Sequence, residues 1–473
     1  MRNRWIVAAG ALALVTVLAA PDVAQASVPT SGSFDAGTAT ITAVVGSGDS
    51  ATLIRNGSAI EFGGSACGAA TVTNTDQINI GLPDQTTTES LTISMANGAF
   101  SPGKTPEGDG SDEIEIAITG LLAADEQLTF VGTSGDDTIV VDFTGTDLLP
   151  GTTGEQEVAY PGASNTKEVD AGAGADTVQI RSAYSSVVHA GDGDDAIMPG
   201  CYADSSYDGG AGTDTMDYSA CSVAFGITVH ALGAGSATAK RDPGGTQGTD
   251  DLSGIEEIIG SGSSDTFYGS VGPDHFVGGY GNDWFLPWGG DDVIDGGAGF
   301  DTLTTGASTA PVTFDMTSQQ IAGEGADTFA NIEILQGSPG GDRFTGDPRT
   351  SGVIAVDGYG GRDVVDLRSA THGQYVWTSP GGTIGLAPGD VSLFAQDIRR
   401  VRGSDLADRI EVGSENGLEL RARFHGEGGD DRLIGGIHRD VLDGGSGNDT
   451  LNGKQGFDTC ISDVGDTVRN CEA

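Results

Sequence analysis

A nine-residue period is the feature that most limits what this 473-residue chain can fold into. Five consecutive nonapeptides run from Gly260 to Thr304, and four more run from Gly426 to Ile461. Each has aspartate at place six and an apolar residue at place eight, and most have glycine at places one and four. The blocks are GSGSSDTFY, GSVGPDHFV, GGYGNDWFL, PWGGDDVID and GGAGFDTLT, then GEGGDDRLI, GGIHRDVLD, GGSGNDTLN and GKQGFDTCI.

This period excludes a helix. At about 100° per residue, nine residues make about two and a half turns, so successive apolar residues would face opposite sides. Each glycine would also cost a helix about 1 kcal/mol. A turn followed by a short strand fits better, because glycine supplies the positive φ of the turn and place eight points inward between two outward neighbours.

Less regular copies and a longer repeat extend the pattern. Single blocks begin at Gly132, Ala171, Ala190, Gly209 and Gly337, and the most N-terminal plausible block begins at Glu107. Residues 248–265 match residues 325–342 at a constant offset of 77, and residues 389–408 match them more loosely. Segments with strand-like alternation precede all three, so we expect aspartate-rich repeats to alternate with ordinary strands.

The charge balance bears on possible partners. Acidic residues outnumber basic ones by 68 to 22, which gives a net charge of −46. Such a charge argues against nucleic acid or an anionic membrane as the main partner and favours cations. The 78 glycines and the acidity are also typical of disorder, but disorder does not need a fixed spacing.

The N-terminus predicts export. Arg2 and Arg4 precede an apolar run from Ile6 to Ala20, and a small-residue cleavage site ends at Ala26. We therefore expect residues 1–26 to be a signal peptide. No later segment is apolar enough to span a membrane, so we expect a secreted, soluble mature chain.

Five cysteines in an exported chain permit disulfides. Cys460 and Cys471 flank a short terminal loop and are the first expected pair. Cys201 and Cys221 are the second. Cys67 is then left over, and we expect it to be a buried small apolar residue.

Blocks such as GGYGNDWFL, GGAGFDTLT and GGSGNDTLN resemble the RTX, or haemolysin-type calcium-binding, nonapeptide GGxGxDxUx, where U is a large apolar residue. The resemblance implies an all-β fold, a right-handed parallel β-roll or β-helix solenoid with interspersed strand segments. In that family two nonapeptides form one coil, and calcium lies between the turns of successive coils. Aspartate side chains and turn carbonyls are its ligands there.

The implied coil makes geometric sense of the aspartates. Residues 18 apart would stack ~4.7–4.9 Å apart, and an ion at ~2.3–2.6 Å from its oxygens could touch both turns. Asp265, Asp283 and Asp301 would then line one edge, and Asp274 and Asp292 the other.

The same reasoning pairs Asp431 with Asp449 and Asp440 with Asp458. Ser263 and His438 replace the glycine of their turns, so those sites are expected to be weak or empty. The full set of expected calcium-site residues is Asp137, Asp176, Asp195, Asp214, Asp265, Asp274, Gly279, Gly281, Asp283, Gly290, Asp292, Gly297, Gly299, Asp301, Asp342, Gly429, Asp431, Asp440, Gly445, Gly447, Asp449 and Asp458.

These patterns divide the chain into ten segments. They are a signal peptide (1–26), an N-terminal β-rich region (27–105), degenerate repeats (106–218), a strand insert (219–259), tandem nonapeptides (260–304), a strand insert (305–336), degenerate repeats (337–366), a strand insert (367–402), nonapeptides (403–461) and a C-terminal tail (462–473).

No enzyme motif stands out. The chain has no HExxH and no GxSxG. Pro273-Asp274-His275 is faintly similar to acid/base motifs of β-helical uronan epimerases, but Asp274 holds the calcium place of its nonapeptide. Glu256 and Glu333 are expected to be polar residues at strand edges.

We therefore expect a non-enzymatic secreted protein that folds on binding calcium and acts as a structural, matrix or surface scaffold. One alternative is an extracellular carbohydrate-active enzyme of the lyase or epimerase type. Another is an adhesin, with Trp284, Trp288 and Trp377 as candidates for its binding face. A polysaccharide or protein partner is left open.

Overall fold

Parallel β-strands dominate the computed structural model of the chain. It describes residues 30–82, 88–100, 114–119, 127–141, 145–147, 158–160, 167–181, 184–221, 226–241, 248–379, 392–413 and 421–472. The expected signal peptide lies outside these ranges, as does most of the block at Glu107. Within them, no helical segment has the length and apolarity needed to cross a lipid bilayer.

The strands up to residue 159 are mostly four to seven residues long. They are β1 (Ser31–Asp35), β2 (Thr40–Val44), β3 (Ser50–Asn56), β4 (Ala59–Phe62), β5 (Ser65–Thr71), β6 (Gln77–Gly81), β7 (Ser90–Ser94), β8 (Glu115–Thr119), β9 (Gln127–Val131), β10 (Thr138–Val141), β11 (Gly145–Asp147) and β12 (Val158–Ala159).

The strands of the central part shorten towards three residues. They are β13 (Lys167–Ala173), β14 (Thr177–Ile180), β15 (Ser186–Asp192), β16 (Ala196–Met198), β17 (Ser205–Ala211), β18 (Thr215–Asp217), β19 (Ile227–Gly233), β20 (Ser236–Arg241), β21 (Thr249–Ser253), β22 (Glu257–Ile259), β23 (Thr266–Tyr268), β24 (His275–Val277), β25 (Trp284–Leu286), β26 (Val293–Asp295) and β27 (Thr302–Thr304).

The remaining strands lie on both sides of one short helix, α1 (Pro348–Ser351), with β28 to β32 before it and the others after it. They are β28 (Thr313–Asp315), β29 (Gln320–Ala322), β30 (Ala326–Ala330), β31 (Ile334–Gln336), β32 (Arg343–Thr345), β33 (Ala355–Asp357), β34 (Val364–Asp366), β35 (Tyr375–Ser379), β36 (Leu393–Gln396), β37 (Arg400–Arg402), β38 (Arg409–Val412), β39 (Arg423–His425), β40 (Arg432–Ile434), β41 (Val441–Asp443), β42 (Thr450–Asn452), β43 (Thr459–Ile461) and β44 (Thr467–Arg469).

The described strands form two long sheets, and each coil gives one strand to each sheet. Sheet A runs β1-β2-β6-β8-β12-β11-β10-β14-β16-β18-β22-β24-β26-β30-β29-β28-β32-β34-β37-β39-β41-β43. Sheet B runs β5-β4-β3-β7-β9-β13-β15-β17-β21-β20-β19-β23-β25-β27-β31-β33-β36-β35-β38-β40-β42-β44. The expected all-β parallel solenoid is confirmed.

The nonapeptides alternate between the sheets, as two blocks per coil require. Phe267 of β23 lies opposite Phe285 of β25, 18 residues later, and Phe276 of β24 lies opposite Ile294 of β26. The three-residue strands β23 to β26 bury only their middle side chain, and β27 also buries Thr304. The rings of Phe267 and Phe285 stack with centroids 5.0 Å apart, so place eight forms the core between the sheets.

The N-terminal region belongs to the same solenoid but has longer coils. Ile41 lies opposite Ile78 in sheet A, and Leu53 lies opposite Ile93 in sheet B. Strands β2 to β7 bury two or more side chains each. Residues 30–100 therefore continue the two sheets without an aspartate ladder.

The strand segments between the repeats are three-stranded antiparallel inserts within one sheet. In β19-β20-β21 the last strand pairs back with β17 and the first pairs forward with β23. The inserts β28-β29-β30 and β10-β11-β12 have the same reversed order in sheet A. The offset of 77 therefore relates two copies of one insert, placed in opposite sheets. Before β38 the described strands of the insert are β35 and β36, which pair directly.

Both expected disulfides are present, Cys460–Cys471 and Cys201–Cys221. Cys67 is a free, buried cysteine, as predicted.

Candidate metal centre

Aspartates of successive coils are linked directly by hydrogen bonds. The backbone N–H of Asp265 donates to Oδ1 of Asp283 at 2.7 Å, and that of Asp283 donates to Oδ1 of Asp301 at 2.7 Å. On the other edge the backbone N–H of Asp274 donates to Oδ1 of Asp292 at 2.9 Å. The predicted stacking on both edges is therefore observed. We call such a series of linked carboxylates a run.

Six runs occur in the described ranges. In chain order they are Asp137-Asp176-Asp195-Asp214-Glu256, Asp265-Asp283-Asp301-Glu333, Asp274-Asp292-Asp327, Asp342-Asp363, Asp408-Asp431-Asp449-Asp466 and Asp440-Asp458-Glu472. Every expected aspartate lies in a run, including the stacked pairs Asp431 with Asp449 and Asp440 with Asp458.

The set of calcium-site residues expected from the sequence does not include seven members of these runs. They are Glu256, Asp327, Glu333, Asp363, Asp408, Asp466 and Glu472. Glu256 and Glu333, taken as strand-edge residues from the sequence, instead accept the N–H of the last aspartate of a run through Oε2, at 2.9 and 2.8 Å. The Ile-Glu dipeptide repeated at an offset of 77 was the available signal.

The second carboxylate oxygen distinguishes the members of a run. Nine aspartates have a buried Oδ2 that no hydrogen bond reaches within the described part of the chain. They are Asp176, Asp195, Asp214, Asp283, Asp292, Asp301, Asp431, Asp449 and Asp458. A buried polar atom without a partner costs about 1–3 kcal/mol, so this recurring feature calls for a partner of opposite charge.

The turn glycines let the backbone of one coil approach the carbonyl oxygens of the preceding coil closely. A Cβ built on Gly299 would lie 1.4 Å from the carbonyl oxygen of Gly281, one coil earlier. A Cβ on Gly447 would lie 1.8 Å from the carbonyl oxygen of Gly429. Any side chain at place four would therefore displace a carbonyl oxygen that faces the next turn. The expected glycines Gly290, Gly297 and Gly445 also approach a carbonyl oxygen of the preceding coil closely at positive φ, whereas a Cβ on Gly279 would lie 3.2 Å from the nearest one.

Burial changes the acidity of these carboxyl groups. It raises the pKa of Asp283 to about 7, against the lowering effect of the Asp265 N–H and with the charges of Asp265 and Asp301 adding to the rise. Burial likewise raises the pKa of Asp431 to about 7 and that of Asp301 to about 6. In the metal-free chain, carboxylate charge is thus disfavoured along each run.

This donor set consists of carboxylate and carbonyl oxygens, which hard cations such as Ca²⁺ prefer. No three His, Cys, Asp or Glu side chains converge on one point in the described ranges. The turns instead combine one carboxylate per coil with backbone oxygens. The residues fit calcium, and the fold and its turns together define a parallel β-solenoid of the calcium-binding kind.

The comparison with known families agrees with this class. Four stretches match the RTX calcium-binding nonapeptide repeat, at residues 259–290, 268–303, 289–309 and 425–460. The chain thus contains four copies of this repeat, and RTX nonapeptide repeats bind Ca²⁺. No curated protein matches the chain.

The residues considered for other functions lie away from the turn interiors. His275 points outward from β24, 3.7 Å from the Glu257 carboxylate, while Asp274 belongs to a run. Trp284 extends an aromatic row on the outer face of sheet B, where His230 stacks on Tyr268 with centroids 4.5 Å apart and Tyr268 lies 5.5 Å from Trp284. Trp288 lies exposed in a turn, and Trp377 lies on the outer face of β35.

Proposed function

We propose that this protein is a secreted calcium-binding scaffold whose runs bind Ca²⁺ between consecutive turns and complete their folding on binding. The observation that supports it most strongly is the set of nine buried Oδ2 atoms without a partner. Their aspartates and the carbonyls facing them, among the residues named above, are the proposed ligands. Glu256, Glu333 and Glu472 are proposed as carboxylate ligands at the ends of their runs.

Energetics supports folding coupled to binding. A nonapeptide strand buries one large side chain, worth at most ~1.5–3 kcal/mol, while ordering each residue costs ~1–2 kcal/mol of backbone entropy. Carboxylates stacked on adjacent coils also repel one another. A site with a dissociation constant of ~0.1 mM in ~1 mM calcium adds ~1.4 kcal/mol. Several such sites in series shift the balance towards the folded run.

Three features support an extracellular location. The sequence of residues 1–26 has the pattern of a signal peptide. Two disulfides are formed, which is typical of oxidising compartments. Millimolar calcium outside cells also suits sites of the weak affinity that extracellular calcium modules have.

The scaffold role is supported by the continuity of the two sheets. Strands from Ser31 to Arg469 pair into the same pair of sheets, with inserts that lengthen one sheet without leaving it. A solenoid of this kind is a rigid rod once its turns are bridged.

Polysaccharide adhesion is a second candidate, favoured by the row formed by His230, Tyr268 and Trp284. Aromatic rings in series can stack on sugar rings. Affinity electrophoresis in gels containing neutral polysaccharide tests it: Trp284→Ala should abolish retardation, and unretarded wild-type protein would exclude this role for the polysaccharides tried.

Calcium titration of the full chain tests the main proposal. We expect isothermal titration calorimetry to show several bound ions per chain and far-ultraviolet circular dichroism to show β-structure gained over the same calcium range. Magnesium is the control, because its smaller size and strict octahedral geometry suit these turns poorly. Absence of calcium binding, or identical β-content in chelator and in calcium, would contradict the proposal.

A further inference from the structure

The first aspartate of a run has different surroundings from the later ones. Its Oδ1 does not accept from an aspartate N–H of a preceding turn. Asp265 accepts from Ile227 at 2.6 Å, Asp342 from Val312 at 2.7 Å and Asp440 from Ala422 at 2.8 Å. These donors begin a strand or directly precede one, so no aspartate turn lies on that side of the first carboxylate.

In the first turn of a run, the residue at place two donates hydrogen bonds to the aspartate carboxylate. The Ser261 N–H donates to Oδ2 of Asp265 at 2.6 Å, and the Ser261 hydroxyl donates to Oδ1 at 2.8 Å. The corresponding pairs that begin other runs are Thr133 with Asp137, Ser270 with Asp274, Ser338 with Asp342 and Ser404 with Asp408. We call this arrangement a hydroxyl clasp. The sixth run begins at Asp440, where the Gly436 N–H alone closes Oδ2 at 2.7 Å.

Later turns have neither the hydroxyl nor the backbone contact. At the turns of the later aspartates through Asp458, place two is Gly172, Gly191, Gly210, Gly279, Trp288, Gly297, Gly323, Tyr359, Glu427, Gly445 or Lys454. All eleven have positive φ, whereas the six residues that close first turns do not. Asp466, whose turn does not follow the nonapeptide pattern, is closed by the Asp463 N–H instead.

Backbone conformation at place two thus separates two kinds of turn. Positive φ rotates the N–H of place two away from Oδ2 and leaves that oxygen open. Ordinary φ aims the same N–H at Oδ2, and a Ser or Thr hydroxyl then supplies a second donor to the carboxylate. Serine adopts an ordinary φ without backbone strain, whereas glycine is the residue that adopts positive φ most readily.

We propose that the hydroxyl clasp replaces calcium on the side of the first turn that faces away from the rest of its run. The conformation of this turn is then fixed before calcium binds, and the later turns stack on it. The inference rests on the proposed function, because it concerns which turns of a calcium-binding run need the ion. It makes Ser261, Ser270, Ser338, Ser404 and Thr133 positioning residues for the first carboxylate, with no contact to the ion.

The positions of three clasps agree with first turns that form before the rest of the run. Ser261 follows the insert β19-β20-β21, Ser338 follows β28-β29-β30, and Ser404 follows β35 and β36. These three clasps therefore lie where strands that need no ion pass into a run, whereas Ser270 lies between β23 and β24 within the tandem nonapeptides. Ions placed between consecutive turns would begin only after the clasped carboxylate.

Hydrogen exchange of the full chain in chelator, read by mass spectrometry, tests the proposal at Ser404. The Ser404 N–H donates to Asp408, and the Leu406 N–H donates to the Ser404 hydroxyl at 3.2 Å. We expect peptides covering 404–408 to exchange roughly tenfold more slowly than those covering 445–449, since hydrogen bonds to a charged group are among the stronger ones. Ser404→Ala removes the hydroxyl bonds but keeps the N–H at residue 404, so it should reduce that difference, and Ser404→Thr should restore it.

The matched control is Ser446→Ala, which changes an exposed serine at place three of an open turn and should alter nothing. In calcium titrations, Ser404→Ala should raise the calcium concentration needed to fold residues 423–461 and leave the number of bound ions unchanged. Equal exchange at 404–408 and 445–449 in wild-type chelator samples, equal behaviour of the two alanine variants, or fewer ions bound to Ser404→Ala would each overturn the inference. Failure of the proposed function is distinguishable, because wild-type protein would then bind no calcium at all.

Discussion

The N-terminal coils and the tandem nonapeptide coils share two sheets but are stabilised differently. In the N-terminal coils, strands such as β6 and β7 bury two or more side chains each, including Ile78 and Ile93. In the tandem coils, most strands bury one side chain, such as Phe267 or Phe285, and the turns contain buried carboxylates. One fold can thus be held by apolar area or, in our proposal, by ions between its turns.

The largest expected difference between the two regions appears on removal of calcium. In chelator, hydrogen exchange should remain slow in strands β2, β3, β6 and β7 and become fast across residues 260–304 and 426–461. The reason is that the first region has its apolar core regardless of metal, while the second has stacked carboxylates. Equal protection of both regions in chelator would remove the distinction.

Truncation of a core side chain in the N-terminal coils should lower stability equally with and without calcium. Phe62 is fully buried in the N-terminal coils, and Phe62→Ala should cost about 3–5 kcal/mol of unfolding free energy. Denaturant melts should show the same loss with calcium and with chelator, because this side chain belongs to the apolar core of coils without an aspartate ladder. A loss that appears only in calcium would contradict the calcium-independent core.

The sequence was sufficient to predict the repeating coil. A fixed nine-residue spacing favours a turn and a short strand, and the RTX resemblance, with two nonapeptides per coil, implied that Asp265, Asp283 and Asp301 stack at their 18-residue offset. The inward position of Phe285 followed in the same way. Both disulfides were also predictable from chain proximity and export.

The arrangement of the inserts was not predictable in the same way. The pairing of β17 with β21 and of β19 with β23 joins residues about 40 apart, and no local pattern shows that the chain order reverses. The role of Glu333 depends on this pairing, since its carboxylate meets Asp301 only across the insert. The clasp depends on φ at place two. The presence of a serine at position 261 does not reveal that φ, and it does not show that no aspartate turn precedes Asp265 in the stack.

Substitutions within one run sharpen the comparison between its first and interior turns. Asp283 lies between two turns, whereas Asp265 begins the run. Asp283→Asn should weaken calcium-induced folding of residues 260–304 about tenfold per site lost and lower the number of ions more than Asp265→Asn does. Calorimetry on both variants measures this. Equal losses would indicate that first and interior turns bind alike.

The smallest effect concerns pH in the absence of metal. Burial raises the pKa of Asp283 and of Asp431 to about 7, above the ordinary value of about 4. A raised pKa stabilises the folded metal-free run fully below the unfolded value, and this stabilisation is lost as pH rises through about 7. Circular dichroism in chelator should therefore show more β-structure at pH 5 than at pH 8. More β-structure at pH 8 would contradict these shifts.

A crystal structure determined in abundant calcium, with anomalous scattering to locate the ions, tests the central claim most directly. We predict ions between consecutive turns of each run, contacting Oδ2 of aspartates such as Asp283, Asp301 and Asp449, with none on the outer side of the clasped turns. Vacant spaces between those turns, with the same carboxylates turned into solvent, would contradict the account.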